Sequence, residues 1–273
     1  MDARSRAPRT SGRRPDGQHF LRSSAIAAEL VRDACIGPTD HVLEIGAGTG
    51  RLTEPLALAA ASITAVELDP RLVEGLRRRF ADDATVRVLH GDIRAVDLPD
   101  APWRAFGNVP FSVTTPILRR LLDDLGCGPV RADLLIQFEA ARKRASVERG
   151  SLLSIGWFPW WQMTLTRRLP RSSFDPPPSV DAGVLTVVRR PRPLLPPQDR
   201  AAYADLVRLA FDRGSWPVQR SLGRVVPPKA WKRLARSRGV PVAARPAHLD
   251  GWDWVAVFEL ARSQQTRVEP SSR

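Results

Sequence analysis

The chain has 273 residues, room for one full α/β domain and a smaller second one at roughly 150 residues per domain. Its 42 Lys+Arg against 29 Asp+Glu leave a formal net charge of +13, which points to a polyanionic partner, either nucleic acid or an anionic membrane face. No apolar run approaches the ~18 residues of a bilayer span, MDARSRAPRTSGRRPDG lacks the apolar segment of a secretory signal, and the scattered Cys and His form no CxxC or HExxH pair, so a membrane span, a metal centre and a thiol mechanism are set aside and a soluble cytoplasmic protein is expected.

Residues 1–16, rich in Arg, Pro, Ser and Gly with little to bury, read as a disordered basic arm. From Ser23, the positions Ile26, Leu30, Val31 and Ala34 follow a helical period that Gly37-Pro38 is expected to stop. Short apolar segments bounded by turn or charge signals then predict strands at 41–45, 62–66, 85–89, 103–107 and 132–138. Helices are predicted at about 51–60, 70–80, 115–124 and 139–149, with Pro70 after Asp69 and Pro116 after Thr115 suited to first turns. Such alternation implies an α/β fold with a parallel doubly wound sheet, whose ligands sit at the carboxyl ends of the strands.

Two alternating runs, 160–169 and 183–189, joined by the proline-rich stretch 170–182, read as an antiparallel hairpin added to that sheet. RPRPLLPP at 190–197 cannot continue a strand or helix, because proline supplies no backbone donor, and reads as a linker. Apolar periodicity near 199–211, 229–238 and 252–261 predicts a small basic helical domain, so the domains are expected at 17–192 and 193–273.

Val42-Leu43-Glu44-Ile45-Gly46-Ala47-Gly48-Thr49-Gly50 places a glycine turn directly after the first strand of the alternating series. The spacing is G-x-G-x-G, not the G-x-G-x-x-G of dinucleotide sites, and Glu44 stands two residues ahead of it. That favours S-adenosylmethionine over NAD, because a sulfonium ligand carries no pyrophosphate and its ammonium suits a carboxylate. Glu67 ends the next strand, where it can accept from both ribose hydroxyls, and Asp92 follows the third, where it can accept from the cofactor's adenine amino group. Either acid alone is commonly a solvated loop residue, but three acids and a glycine turn at successive strand ends define a Rossmann-like methyltransferase sheet.

Asn108-Val109-Pro110-Phe111 follows the fourth strand and supplies what an exocyclic amine needs. The N6 lone pair of adenine is delocalised and poorly nucleophilic. Acceptors at the Asn108 side chain and at the Val109 carbonyl, presented by Pro110, would hold the amino hydrogens and aim the nitrogen at the methyl group. Phe111 would stack on the flipped base. Phe174, in Phe174-Asp175-Pro176-Pro177-Pro178-Ser179-Val180, either caps the other face of the base or anchors a rigid proline loop.

These residues resemble the ribosomal RNA adenine N6-methyltransferases, which include the Erm macrolide-resistance enzymes and the KsgA small-subunit dimethylases. The resemblance runs from about Gly17 to Arg190. Gln18-His19-Phe20-Leu21 is similar to the family's Q-N-F-L element with His19 in place of asparagine, and Phe174, Pro176, Pro178 and Val180 match F-x-P-x-P-x-V, with Ala182 where serine is common. The resemblance implies that His19, Leu21, Gly46, Gly48, Glu67, Asp92 and Asn108 line the cofactor site. Phe111-Ser112, where the dimethylase branch usually carries tyrosine and asparagine, looks like the Erm branch, as do Gln137 to Arg144, Trp157, Pro159 and Trp160.

The Erm resemblance implies action on one adenine of protein-free or early precursor 23S rRNA near the peptidyl transferase centre, with resistance to macrolide, lincosamide and streptogramin B drugs; nothing in the sequence suggests an obligate interface, so a monomer is expected. Lysine occurs only at Lys143, Lys229 and Lys232, so the cations are overwhelmingly arginines, suited to bidentate phosphate contacts. Arg142, Lys143 and Arg144 cluster on one predicted helix, as phosphate contacts or as a solvated face. A KsgA-like small-subunit dimethylase and a non-catalytic RNA-binding or transcription factor on the same fold are the alternatives.

Overall fold

The computed structural model describes residues 18–100, 102–146 and 150–268. The arm expected at 1–16 lies outside the described residues. In chain order the elements are β1 (Phe20–Leu21), α1 (Ser24–Asp33), β2 (His41–Ile45), α2 (Thr53–Ala57), β3 (Ser62–Glu67), α3 (Pro70–Arg79), β4 (Val86–His90), β5 (Arg104–Asn108), α4 (Thr114–Leu122), β6 (Arg131–Gln137), α5 (Phe138–Ala145), α6 (Leu152–Trp157), β7 (Trp161–Leu169), β8 (Phe174–Asp175) and β9 (Ala182–Arg189). The helices α7 (Arg200–Phe211), α8 (Val218–Ser221), α9 (Pro228–Ser237) and α10 (Gly251–Val268) follow.

Seven strands form one sheet in the order β4-β3-β2-β5-β6-β9-β7. The strands from β2 to β6 are parallel, while β9 runs antiparallel to both β6 and β7, so the predicted hairpin joins the sheet through β9. The chain winds outward from β2 to β4 and then returns to place β5 beside β2. This is a topological switch point, where open α/β sheets leave a crevice at the strands' carboxyl ends.

Period-2 alternation explains how one strand serves two cores. Leu134 and Ile136 of β6 belong to the cluster under α4, α6 and α7, whereas Leu135 faces the cluster built with α1 and α2. The C-terminal helices share the first of these cores. Tyr203 of α7 lies edge-on to Trp160 and Phe258 at 5.6 and 5.5 Å, and its hydroxyl donates to the Ile155 carbonyl at 3.1 Å.

Three local readings are revised. Helix α1 ends four residues before Gly37, because Cys35 adopts a left-handed backbone with φ 53°. Arg104 of β5 donates to the Ala34 and Cys35 carbonyls there, so a distant guanidinium caps the helix. Helix α6, capped by Ser151 through the Ser154 N–H, fills a stretch for which the sequence predicts no element. Finally, β1 and β8 pair antiparallel as a separate two-stranded ribbon, Phe20 opposite Asp175 and Leu21 opposite Phe174.

Candidate active site

The turn after β2 depends on glycine at two positions that face the site. Gly46 and Gly48 have φ of +71° and +59°, open to glycine and strained for side-chain-bearing residues. A Cβ on Gly48 would also lie 2.8 Å from the Phe20 ring, so β1 rests directly on the turn. The Gly46 and Ala47 N–H groups donate to the Val66 carbonyl, and Glu67 fastens the turn from β3. Its Oε2 accepts from Gly48 N–H at 2.8 Å, and its Oε1 accepts from Leu68 and Asp69 N–H at 2.9 Å.

A cavity of about 160 Å³ opens at the switch point. It is lined by His19, Gly46, Gly48, Glu67, Asp92, Asn108, Pro110, Phe111 and Phe174, which the sequence singled out, together with Phe20, Ile45, Val66, Ile93 and Arg94, which it did not. Leu21 is not part of this wall. On an extended pair of residues adjacent side chains point oppositely, so Phe20 faces the cavity while Leu21 is buried in the α1–α2 core.

Asn108 closes β5 at the cavity edge. Its Nδ2 donates to the His19 carbonyl at 2.6 Å, and among the described residues nothing donates to Asn108 Oδ1 or to the Val109 carbonyl. Two oriented acceptors are therefore unspent. The His19 ring donates from Nδ1 to the Pro176 carbonyl at 2.8 Å and lies 6.2 Å from the half-buried Phe111 ring, tilted by 41°. Arg22 Nε holds the Phe174 carbonyl at 2.9 Å. Entry strand, proline loop and the Asn108–Phe111 segment are thus one braced unit, with Phe174 buried as its anchor as well as lining the cavity.

Asp92, at the β4 end of the cavity, accepts from the Arg94 side chain at 3.0 Å and from the Arg94 N–H at 2.9 Å, which hold its carboxyl below the ordinary value. None of Arg142, Lys143 and Arg144 lines the cavity. Arg142 pairs with Glu139, Lys143 is exposed, and Arg144 is half-buried, donating to Ser151 Oγ at 2.8 Å. Burial, reinforced by Arg119, lowers the Arg144 pKa, so this residue braces α5 against α6 as much as it offers charge to solvent.

Glu44, expected to meet the cofactor's ammonium, is not among the lining residues. It is fully buried beneath the turn, where Thr53 Oγ1 donates to its Oε2 at 2.7 Å and its Oε1 has no partner among the described residues. Burial, opposed by the Thr53 hydrogen bond and reinforced by the Glu67 charge, pushes its carboxyl from 4.5 to about 7. The folded protein therefore holds this proton more tightly than the unfolded chain does. Stability from this group is complete below about pH 4.5 and is lost as pH rises through about 7. Glu44→Gln keeps an acceptor for Thr53 and removes that slope. Between pH 4 and pH 8 the unfolding free energy of the parent should fall by on the order of 3 kcal/mol more than that of the variant in urea titrations; parallel profiles would refute the assignment.

Known proteins resemble this chain over most of its length. A family model described as ribosomal RNA adenine dimethylase matches residues 9–261. The mycinamicin-resistance protein MyrB of Micromonospora griseorubida is 40% identical over 271 residues, covering 97% of this chain and 84% of that protein. Ribosomal RNA small subunit methyltransferase A of a Synechococcus species is 34% identical over 255 residues, covering 88% and 93%. Among solved structures, the 23S rRNA methyltransferase ErmE superposes with a TM-score of 0.81 at 30% identity, over 89% of this chain and 99% of that one. With the family model spanning nearly the whole chain, this protein belongs to the ribosomal RNA adenine dimethylase family.

Proposed function

We propose that this protein uses S-adenosylmethionine to methylate N6 of one adenine in 23S rRNA, and thereby confers resistance to macrolide, lincosamide and streptogramin B drugs. The observation that carries this reading is the pair of unspent acceptors at Asn108 and Val109, set at the switch point across from the glycine turn. The residues fit the cofactor. Gly46 and Gly48 open the wall for close approach, and Glu67 Oε2, which accepts from Gly48 N–H alone, keeps a lone pair for a ribose hydroxyl, whereas Oε1 is taken by the Leu68 and Asp69 N–H groups. Asp92 lies where it can accept from an adenine amino group once Arg94 yields.

Bound there, S-adenosylmethionine supplies a methyl carbon that is passed on in one in-line displacement. Asn108 Oδ1 and the Val109 carbonyl accept the two amino hydrogens and turn the nitrogen lone pair toward that carbon. Phe111 stacks on the flipped adenine, and Phe174 supports the opposite wall. The methylated nitrogen releases its proton to water, so no side chain with a tuned pKa is required. The added methyl removes a donor hydrogen and adds bulk where such drugs pack.

Charge distribution supports RNA as the partner. Between positions 212 and 250 nine Lys or Arg face two Asp, a net +7 of the chain's +13. In that stretch the Arg213 and Arg220 guanidiniums lie over the Trp216 ring at 4.6 and 3.8 Å, keeping their N–H groups directed and available to phosphate. The helical segment is the RNA-binding unit in this reading, with Lys143 and Arg142 adding phosphate contacts near α5. Among the described residues no helix is long and apolar enough to cross a membrane. The protein acts as a monomer on protein-free or early precursor RNA.

Expression in a macrolide-sensitive bacterium tests the substrate. Primer extension should stop at a single large-subunit adenine and drug tolerance should rise. Modification confined to small-subunit RNA would move the protein to the housekeeping branch that the Synechococcus relative represents.

A further inference from the structure

A second cleft of about 400 Å³ opens where the start of α10 meets the β7 edge. It shares no lining residue with the methyl-transfer cavity. Its walls carry Phe158, Trp252, Arg144, Arg190, Gln162 and Thr164, and among the described residues no Asp or Glu lines it. Trp252 is 46% exposed, uncommon for so large an apolar ring.

The rings are held in place. Phe158 and Trp252 meet edge-on at 5.4 Å and 80°. The Arg190 guanidinium lies 4.7 Å from the Phe158 centroid and 5.8 Å from that of Trp252, and its Nε donates to the Phe158 carbonyl at 2.9 Å. Gly251 allows this packing, since a Cβ there would fall 2.3 Å from the Phe158 ring. Asp250 and Asp253 exchange reciprocal hydrogen bonds at 2.7 and 3.2 Å that fix the first turn of α10, and with it Trp252. Among the described residues no carboxylate pairs with Arg144 or Arg190.

Aromatic faces beside guanidiniums that no described carboxylate neutralises, with amide and hydroxyl groups, suit a flat ring that carries an anion, which is the chemistry of a nucleotide. The cleft is also within reach of the target pocket. Helix α5 starts at the carboxyl end of β6, the strand beside β5, and its last residues, Arg144 and Ala145, line the cleft, so roughly 12 Å of helix separates that strand end from the cleft.

We propose that this cleft binds a second, unpaired base of the same RNA, stacked on Trp252 with its phosphate on Arg190 or Arg144, a few nucleotides from the methylated adenine. The inference rests on RNA being the substrate. Full-length Trp252→Ala and Trp252→Phe are compared with the parent on a protein-free large-subunit RNA fragment, and 4-thiouridine crosslinks are mapped. Trp252→Ala should raise both Kd and KM for RNA about tenfold, through lost stacking. The salt slope of binding and the affinity for S-adenosylmethionine should hold, because no phosphate contact is removed. Trp252→Phe should restore most of the loss, and a crosslink outside the target adenine should vanish only in the alanine variant. RNA binding by Trp252→Ala equal to the parent's would overturn the site while leaving the methyltransferase reading intact. A parent protein that methylates no RNA would overturn both.

Discussion

Asn108→Ala is expected to lower kcat for methyl transfer by on the order of 10³-fold, comparable to losing one preorganised hydrogen-bonding group at a reacting centre. The reason is positional. Donation from Nδ2 to the His19 carbonyl fixes the amide, so that Oδ1 is presented as an acceptor at the cavity edge without further ordering. Alanine removes the acceptor that restrains one amino hydrogen, and the adenine nitrogen keeps its planar, delocalised lone pair. The lost hydrogen bond costs about 1 kcal/mol of stability, too little to unfold the chain. Single-turnover transfer measured at saturating S-adenosylmethionine should carry the loss, whatever share of cofactor affinity Asn108 also holds. A rate within tenfold of the parent's would remove Asn108 from the chemistry.

Phe111→Ala is expected to reduce kcat/KM for RNA by about 10- to 100-fold, the range of one lost base–aromatic stack. Phe111 is half-buried, tilted against His19, and lines the cavity beside Asn108. Its loss should leave cofactor affinity in place, because Glu67 and the glycine turn stand on other strands. Phe111→Tyr retains the ring and should retain most of the transfer. Equal activity of the alanine variant on RNA would mean that the base is held by other groups.

The chain-order reading found β2, β3, β5 and β6 nearly to the residue. Strands buried on both faces are continuous apolar segments, and HVLEI and ADLLI are bounded by charge or glycine. What it missed was set by partners remote in sequence. Gly37-Pro38 is a local stop signal, yet α1 ends at Asp33 because Arg104, about 70 residues away, takes the terminal carbonyls. The two-residue pairing of β1 with β8 crosses more than 150 positions and leaves no periodicity to read. Helix α6 is six residues long and contains Gly156; its Ser151 cap was the one local sign of it.

In the site, acids and glycines at strand ends were legible because topology fixes where strand ends go. The side-chain directions of Glu44 and Leu21 were not, since a motif gives the residue but not the face toward which it points. Strand alternation sends Glu44 beneath the turn to Thr53 and sends Leu21 into the core, leaving Phe20 against Gly48. Arg94 could have been suspected from its place two residues after Asp92, where side chain and N–H both reach the carboxylate.

The most direct measurement is transfer of labelled methyl from S-adenosylmethionine to protein-free large-subunit RNA by the purified protein, followed by nucleoside analysis and mapping. Label recovered as N6-methylated adenosine at one large-subunit position is the expected result. Label absent from that RNA, or found on another atom or base, would contradict the assignment of Asn108 and Val109 as the groups that present an adenine amine.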